Sequence, residues 1–406
     1  MIDPCRVRVT GPLAEHADGY RAELAVMGYV RESAACQLQL MADVSSWLAA
    51  SGLGASELLS VARTDEFLQA RRAGGCKMFV SRLALAPLVR YLVSLGLVPA
   101  ASSVTGSPTD VLVGKYRRCL SDERGLSKRT VHNYVGAARL FLSECGQGDG
   151  ADLEQTLEQM TAGQVTGFVV EQCRRQRPGS AKVMVAGLRS LLRYLFVSGY
   201  TQQQLAGAVP TPTGFSGRSL PRPLDADAVA ALLGSCDRSR TLGRRDFAIL
   251  TVLARLCLRA GEAAALLVDD LDWRRGEVAV HGKGGRRQLL PLPVDVGEAL
   301  VGYLSDGRPR VECRALFLRA YAPITALSPE GVAGVVRSAC SRAGIAPVGP
   351  HRLRHHAASA MLQSGATLAE VGQALRQSSG AATAVYAKVD RVALRALAQP
   401  WPGDVR

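Results

Sequence analysis

The C-terminal half of this 406-residue chain strings together residue types suited to handling a single phosphate. Arg259 stands in LCLRAGEAAAL, Lys283 in HGKGGRRQLLPL, His351 and Arg354 in PHRLRHHAASAML, and Tyr386 in LRQSSGAATAVYAKV. Breaking a phosphodiester without water or metal requires a nucleophile, cationic donors around the non-bridging oxygens, and an acid for the departing oxygen. The phenol of Tyr386 can attack phosphorus, provided its proton, ordinarily held to a pKa near ~10, is lost during attack or loosened by nearby cations. The planar guanidiniums of Arg259 and Arg354 offer paired donors matched to phosphate oxygens and stabilise the charge that develops at phosphorus. His351 lies three residues before Arg354, one helical turn away on the same face, which suits hydrogen bonding and proton traffic at the same phosphate. This order points to DNA strand exchange through a tyrosine ester, whose bond energy lets a free 5′-hydroxyl reverse the reaction without ATP.

Each residue has a plainer reading when taken singly. Arg259 alone is a surface arginine at a helix end, Lys283 a solvated loop residue and Tyr386 a helix aromatic. His351 and His355 have the i,i+4 spacing of a zinc pair, but no third ligand or general-base glutamate stands at zincin spacing, so no metal is expected. The joint order and spacing carry the phosphate reading.

Over about residues 222 to 390 these segments resemble the tyrosine recombinase (phage integrase) family. The resemblance implies a site-specific recombinase or integrase working through a 3′-phosphotyrosine intermediate, with double-stranded DNA as partner and no cofactor. It makes Lys283, on a glycine-rich turn, the general acid for the leaving oxygen, and gives Glu262 the task of orienting an arginine. It also implies a homotetramer on synapsed DNA, with an accessory recombinase or directionality partner left open. One position departs from the family: its Leu-Gly-His-Ser phrase, nine residues before the nucleophile at the His, reads Leu375-Arg376-Gln377-Ser378 here. Gln377 can donate a hydrogen bond to phosphate but cannot carry a proton or charge. A catalytically degenerate DNA-binding regulatory protein of the same fold is the alternative, and a topoisomerase-like relaxing enzyme a third.

The elements that must position these residues read as mainly α with a small β-hairpin in the C-terminal domain, an α+β class. The segment EVAVHGKGGRRQLLPL alternates on either side of its glycines, predicting a hairpin with Lys283 at the tip. Helix starts are predicted at Asp225, at Ser328 followed by Pro329, and at Thr367 with Glu370, a capping-box spacing just after Gly365 closes the preceding helix. The stretch 209–223, VPTPTGFSGRSLPRP, cannot continue a helix and reads as a linker before a catalytic domain at 224–406. Residues 105–208 read as a helical bundle, which the resemblance makes a core-binding DNA-binding domain, and residues 1–104 as an accessory helical unit. Each of the two opens with Tyr-Arg (Tyr20-Arg21, Tyr116-Arg117) and closes on a similar phrase, VRYLVSLGLV or LRYLFVSGY, the mark of a divergent duplication or of chance similarity between Leu/Ala-rich helices.

Composition fits this organisation. Length calls for more than one core, and 48% hydrophobic residues call for a globular chain. The net charge of +14 is uneven: Lys+Arg against Asp+Glu run 10 to 9 over residues 1–104, 13 to 9 over 105–208, and 26 to 17 over 209–406. A field growing towards the catalytic half suits a polyanion, although a GC-rich genome would also favour arginine, and only six of the 49 basic residues are lysine. Ten cysteines without a C-x-x-C pair suggest reduced, buried thiols, and the absence of a signal-like or membrane-spanning stretch suggests a soluble cytoplasmic protein.

Overall fold

A computed structural model describes residues 7–54, 61–97, 107–145, 153–211, 224–282 and 287–376, and the structural statements below concern these. They fall into two compact units, one drawn from residues 1–98 and 217–406, the other from 99–216. The fold is mainly helical with one three-stranded antiparallel sheet, an α+β arrangement.

The first unit opens with helices α1 (Ala17–Val26), α2 (Arg31–Ala50), α3 (Val61–Ala73) and α4 (Arg82–Ser94). Their apolar faces meet around Tyr20, Leu24, Leu38, Met41, Leu48, Leu88 and Leu92. Polar side chains in this core find partners: the Tyr20 hydroxyl donates to Gln37 Oε1 (3.2 Å), and Ser45 Oγ accepts from the Leu13 N–H (3.0 Å) while donating to the Thr10 carbonyl (2.6 Å). This bundle meets the C-terminal part of its unit where the Ile324 N–H donates to the Met27 carbonyl (2.9 Å). Gly28 follows at φ +78°, and a Cβ there would stand 2.6 Å from Ile324 Cγ1, so both the backbone sign and the close approach call for glycine.

The second unit holds α5 (Pro108–Arg118), extended by a π turn over Cys119–Glu123, then α6 (Lys128–Cys145), α7 (Leu153–Glu158), α8 (Ala162–Arg175) and α9 (Pro178–Val197). Thr161 starts α8 with a capping box: its Oγ1 accepts from the Gln164 N–H (3.4 Å) and Gln164 Oε1 accepts from the Thr161 N–H (2.8 Å). Helices α6 and α9 cross closely at Gly187, where a Cβ would lie 2.9 Å from Ala137 Cβ and 3.2 Å from Tyr134 Cα. The first residues of the expected linker pack onto this bundle, since Val209 is buried and Arg189 Nη2 donates to the Val209 carbonyl and to Thr211 Oγ1 (2.8 Å each).

The first unit resumes with α10 (Ala226–Gly234), α11 (Thr241–Arg255), α12 (Ala260–Ala265), β1 (Leu271–Asp272), β2 (Glu277–His281), β3 (Arg287–Pro291), α13 (Val294–Asp306), α14 (Pro329–Arg342), α15 (Pro350–Gln363) and α16 (Leu368–Ala374). The caps expected from sequence are present: Asp225 Oδ1 accepts from the Ala228 N–H (2.7 Å), Ser328 Oγ from the Gly331 N–H (3.1 Å), and Thr367 and Glu370 bond reciprocally. Helix α11 is buried almost all round, with Ile249, Leu250 and Leu253 among Val296, Leu300, Phe317, Val332 and Val336. It is the post around which the other helices pack. A smaller cluster of Cys257, Ala357, Ala358, Val371 and Leu375 joins the end of α11 to α15 and α16. In the sheet, β2 pairs antiparallel with both neighbours, and the β2–β3 ladder runs from Glu277↔Pro291 to His281↔Arg287.

Candidate strand-transfer site

The site begins where α11 stops. Cys257 adopts φ +52°, a left-handed conformation that costs a residue with a Cβ roughly 1–2 kcal/mol and turns the chain sharply out of the helix. Two residues on, Arg259 is the extended N-cap of α12 and Glu262 is its third helical residue. The Glu262 carboxylate reaches back to accept from the Arg259 N–H (2.9 Å) and from Arg259 Nη1 (2.5 Å). The arginine is thereby pinned while its side chain stays 40% exposed. It is the guanidinium of the cluster that faces outward.

Helix α15 brings His351 and Arg354. Arg354 is 1% exposed, the largest fully buried side chain among the described residues, and an isolated charge there would be prohibitive. Its Nη1 donates to the Cys257 carbonyl and its Nη2 to the Leu375 carbonyl, with Glu262 Oε2 3.9 Å from Nη1. Burial first, then the neighbouring Arg259 charge, pull its pKa down to about 10, so it remains a cation at neutral pH. His351, one turn earlier, is held below the ordinary imidazole value by burial and then by the charges of Arg354 and Arg259. It is therefore neutral near pH 7 and able to accept a proton. The rings of His351 and His355 lie 5.4 Å apart, and among the described residues no group of three metal-ligating side chains gathers around them.

A third guanidinium completes the cluster. Arg376 follows α16 at φ +53°; its Nη2 donates to Glu262 Oε2 (2.7 Å) and to the Cys257 carbonyl (3.0 Å), and its Nη1 to the carbonyls of Ala374 (3.2 Å) and Leu256 (3.4 Å). Burial alone would raise the pKa of Glu262, but the Arg259 N–H, the Arg376 charge and the bonds from both guanidiniums outweigh it and hold the carboxyl below its ordinary value. One carboxylate among three arginines leaves a formal surplus of two positive charges. Such a surplus in a largely buried setting favours an anion with several oxygens.

Of the six residues singled out from sequence, the structure brings Arg259, His351 and Arg354 into one cluster, whereas Lys283, Gln377 and Tyr386 lie outside the described residues. The strands flanking Lys283 do form the expected antiparallel pair. Sequence reasoning missed Arg376 as a member of the site; the signal was a long cation where the family phrase has glycine. It also missed the pairing of His281 Nε2 with the buried Asp270 Oδ1 (3.0 Å) at the base of the hairpin, and the Cys257 carbonyl as an acceptor shared by two arginines.

Comparison with known proteins agrees with this geometry. Residues 222–392 match the phage integrase family. The putative integrase/recombinase y4rA of Sinorhizobium fredii is 40% identical over 98% of this chain and 96% of its own length, and the tyrosine recombinase XerD of Listeria monocytogenes is 31% identical over 70% of this chain and 96% of its own. Among solved structures, the XerH site-specific recombinase bound to difH substrate in a pre-cleavage complex has a TM-score of 0.53 at 17% identity, covering 82% of this chain and 93% of that one. A lambda integrase tetramer bound to a Holliday junction gives 0.52 at 17% identity, covering 75% and 86%. These structural likenesses are likenesses of fold. The chain belongs to the phage integrase family and is a tyrosine-type site-specific DNA recombinase.

Proposed function

We propose that Arg259 and Arg354, within the cluster they form with Arg376, receive the scissile phosphate of double-stranded DNA and that Tyr386 attacks it, leaving a 3′-phosphotyrosine and a free 5′-hydroxyl. The carrying observation is the surplus of positive charge built around Glu262, one member of which, Arg376, stands ten residues before Tyr386 in the chain. Arg259 supplies an exposed donor for a non-bridging oxygen. His351, neutral near pH 7, takes a proton in the vicinity of the nucleophile. Lys283, which lies between β2 and β3 in the sequence, protonates the leaving oxygen, and Gln377 donates a hydrogen bond without proton transfer. The partner strand's 5′-hydroxyl then attacks the phosphotyrosine, restoring the diester and the phenol, so no metal or ATP is consumed.

The reading extends to assembly and organisation. Two duplexes are held by four copies of the chain, an arrangement supported by the lambda integrase tetramer among its fold relatives. Residues 105–208 clamp DNA as a core-binding bundle, and residues 1–104 are its divergent copy. Supporting that copy, Tyr20 of α1 pairs with Tyr91 of α4 (ring centroids 5.2 Å) as Tyr116 of α5 pairs with Tyr194 of α9 (5.2 Å), and Gly28 and Gly125 both follow at positive φ. No helix among the described residues is long and apolar enough to cross a membrane, in keeping with action on DNA in the cytoplasm. The family's link to mobile DNA suits integration, excision or transposition of an element.

The test uses duplexes carrying a nick, built from the DNA flanking the coding sequence, so that the cleaved product diffuses away and traps the enzyme. The full chain should form a covalent adduct that Tyr386→Phe cannot form while retaining salt-sensitive DNA binding. Binding without adduct in the unaltered chain would instead favour the degenerate regulatory reading. Relaxation of any supercoiled plasmid without a preferred site would favour the topoisomerase-like one.

A further inference from the structure

Arg354 is the guanidinium that the strand-transfer reading most needs at phosphorus, yet its side chain is 1% exposed and one N–H of each Nη is held by a carbonyl, that of Cys257 or of Leu375. Its remaining N–H groups reach a phosphate only if the buried side chain shifts, and a shift draws it away from a carbonyl it now holds. A buried carbonyl left without a partner carries a desolvation penalty comparable to a lost hydrogen bond, so this release is opposed unless another donor is already in place.

Arg376 is that donor. Its Nη2 stands 3.0 Å from the same Cys257 carbonyl that Arg354 Nη1 occupies, and 2.7 Å from Glu262 Oε2, the carboxylate oxygen that faces Arg354 at 3.9 Å. Resting on the strand-transfer reading, we infer that Arg376 is a positioning residue that frees Arg354 for the scissile phosphate by holding the Cys257 carbonyl and the Glu262 carboxylate in its place.

Three features agree. The Arg376 side chain is only 4% exposed, so its role is exerted on neighbours. Its backbone sits at φ +53°, where a residue with a side chain is disfavoured and glycine would be at ease, so the guanidinium is retained against a local conformational cost. Its bonds to Leu256, Cys257, Glu262 and Ala374 span the ends of α11 and α16 and the first turn of α12, so the arginine fixes the spacing between the Arg259 segment and the end of α16.

The experiment measures single-turnover adduct formation by the full-length chain on the nicked duplexes at saturating protein, across pH, with DNA binding and melting temperature in parallel. Arg376→Gln should lower the saturating rate by roughly 100-fold, the scale expected when a reacting group is misplaced by about an ångström, with little change in half-saturating DNA concentration. Its rate should also gain a new fall towards acid as Glu262, deprived of a guanidinium, becomes easier to protonate. Arg376→Lys, which keeps the charge without the fork, should recover part of the rate and remove that acid fall. Adding Glu262→Gln to Arg376→Gln should cost less than the product of the two single effects, because both act on one carboxylate.

An Arg376→Gln chain with the parental rate and pH profile would overturn the inference while leaving the strand-transfer reading standing. Loss of rate in step with melting temperature in both the Gln and Lys variants would also overturn it, making Arg376 a structural clamp. An unaltered chain that forms no adduct would sink the strand-transfer reading and this inference with it.

Discussion

Replacing Glu262 by Gln keeps the shape of the side chain and removes its charge from beneath three arginines. In the native cluster the carboxylate accepts from the Arg259 N–H (2.9 Å), Arg259 Nη1 (2.5 Å) and Arg376 Nη2 (2.7 Å), with Arg354 Nη1 at 3.9 Å, and it is 6% exposed. Gln offers a single oxygen to these donors and turns an N–H₂ towards cations. Charge-assisted bonds contribute about 1.5–3 kcal/mol each, and removing one partner of a buried ion pair costs about 3–5 kcal/mol, so the expected destabilisation is about 3–5 kcal/mol at pH 7. The folded pKa of Glu262 lies below its ordinary value, so its stabilisation is present above the unfolded value near ~4.3 and is lost as pH falls through the folded one. The stability gap between the parent and Glu262→Gln should therefore be flat at neutral pH and close in acid. Because the chain has two compact units, urea unfolding should be followed by hydrogen exchange, with the loss confined to the unit containing α11, α12, α15 and α16. Added inorganic phosphate should restore more stability to the variant than to the parent, since three guanidiniums then lack any anion. A gap below about 1 kcal/mol at pH 7, within the usual range for an unremarkable substitution, or one that persists undiminished in acid, would refute the electrostatic account.

Two further outcomes follow from the geometry. If His351 must be neutral to take a proton, adduct formation should fall on the acid side with a midpoint below 6.5, the ordinary value from which burial and two guanidiniums depress it, and that limb should vanish in His351→Gln; a midpoint above 6.5 would contradict the site's field. Gly187→Ala should force α6 and α9 apart, since the new methyl meets Ala137 Cβ at 2.9 Å, costing about 1–3 kcal/mol of the second unit's stability in urea and leaving exchange in α11 and α15 unchanged.

Local chemistry was legible in the chain. His351 and Arg354, three apart, announce a helix presenting both to one side, and the structure has that helix in α15. The caps at Asp225, Ser328 and Thr367, and the alternation either side of Lys283, are likewise short-range signals, because each depends on bonds between residues three or four apart or across one turn. What those signals could not carry is the identity of Arg354's acceptors or the presence of Arg376 in the site. Its bonds to Cys257 and Glu262 join residues 119 and 114 positions apart, and they exist because two left-handed residues, Cys257 and Arg376, turn their segments together over the small core beneath α15 and α16. The sequence by itself determined which functional groups are available and which short elements carry them. Only the tertiary structure decided that one buried carboxylate and one carbonyl would be shared among three guanidiniums, since a buried charge must find its partners through space, whatever their distance along the chain.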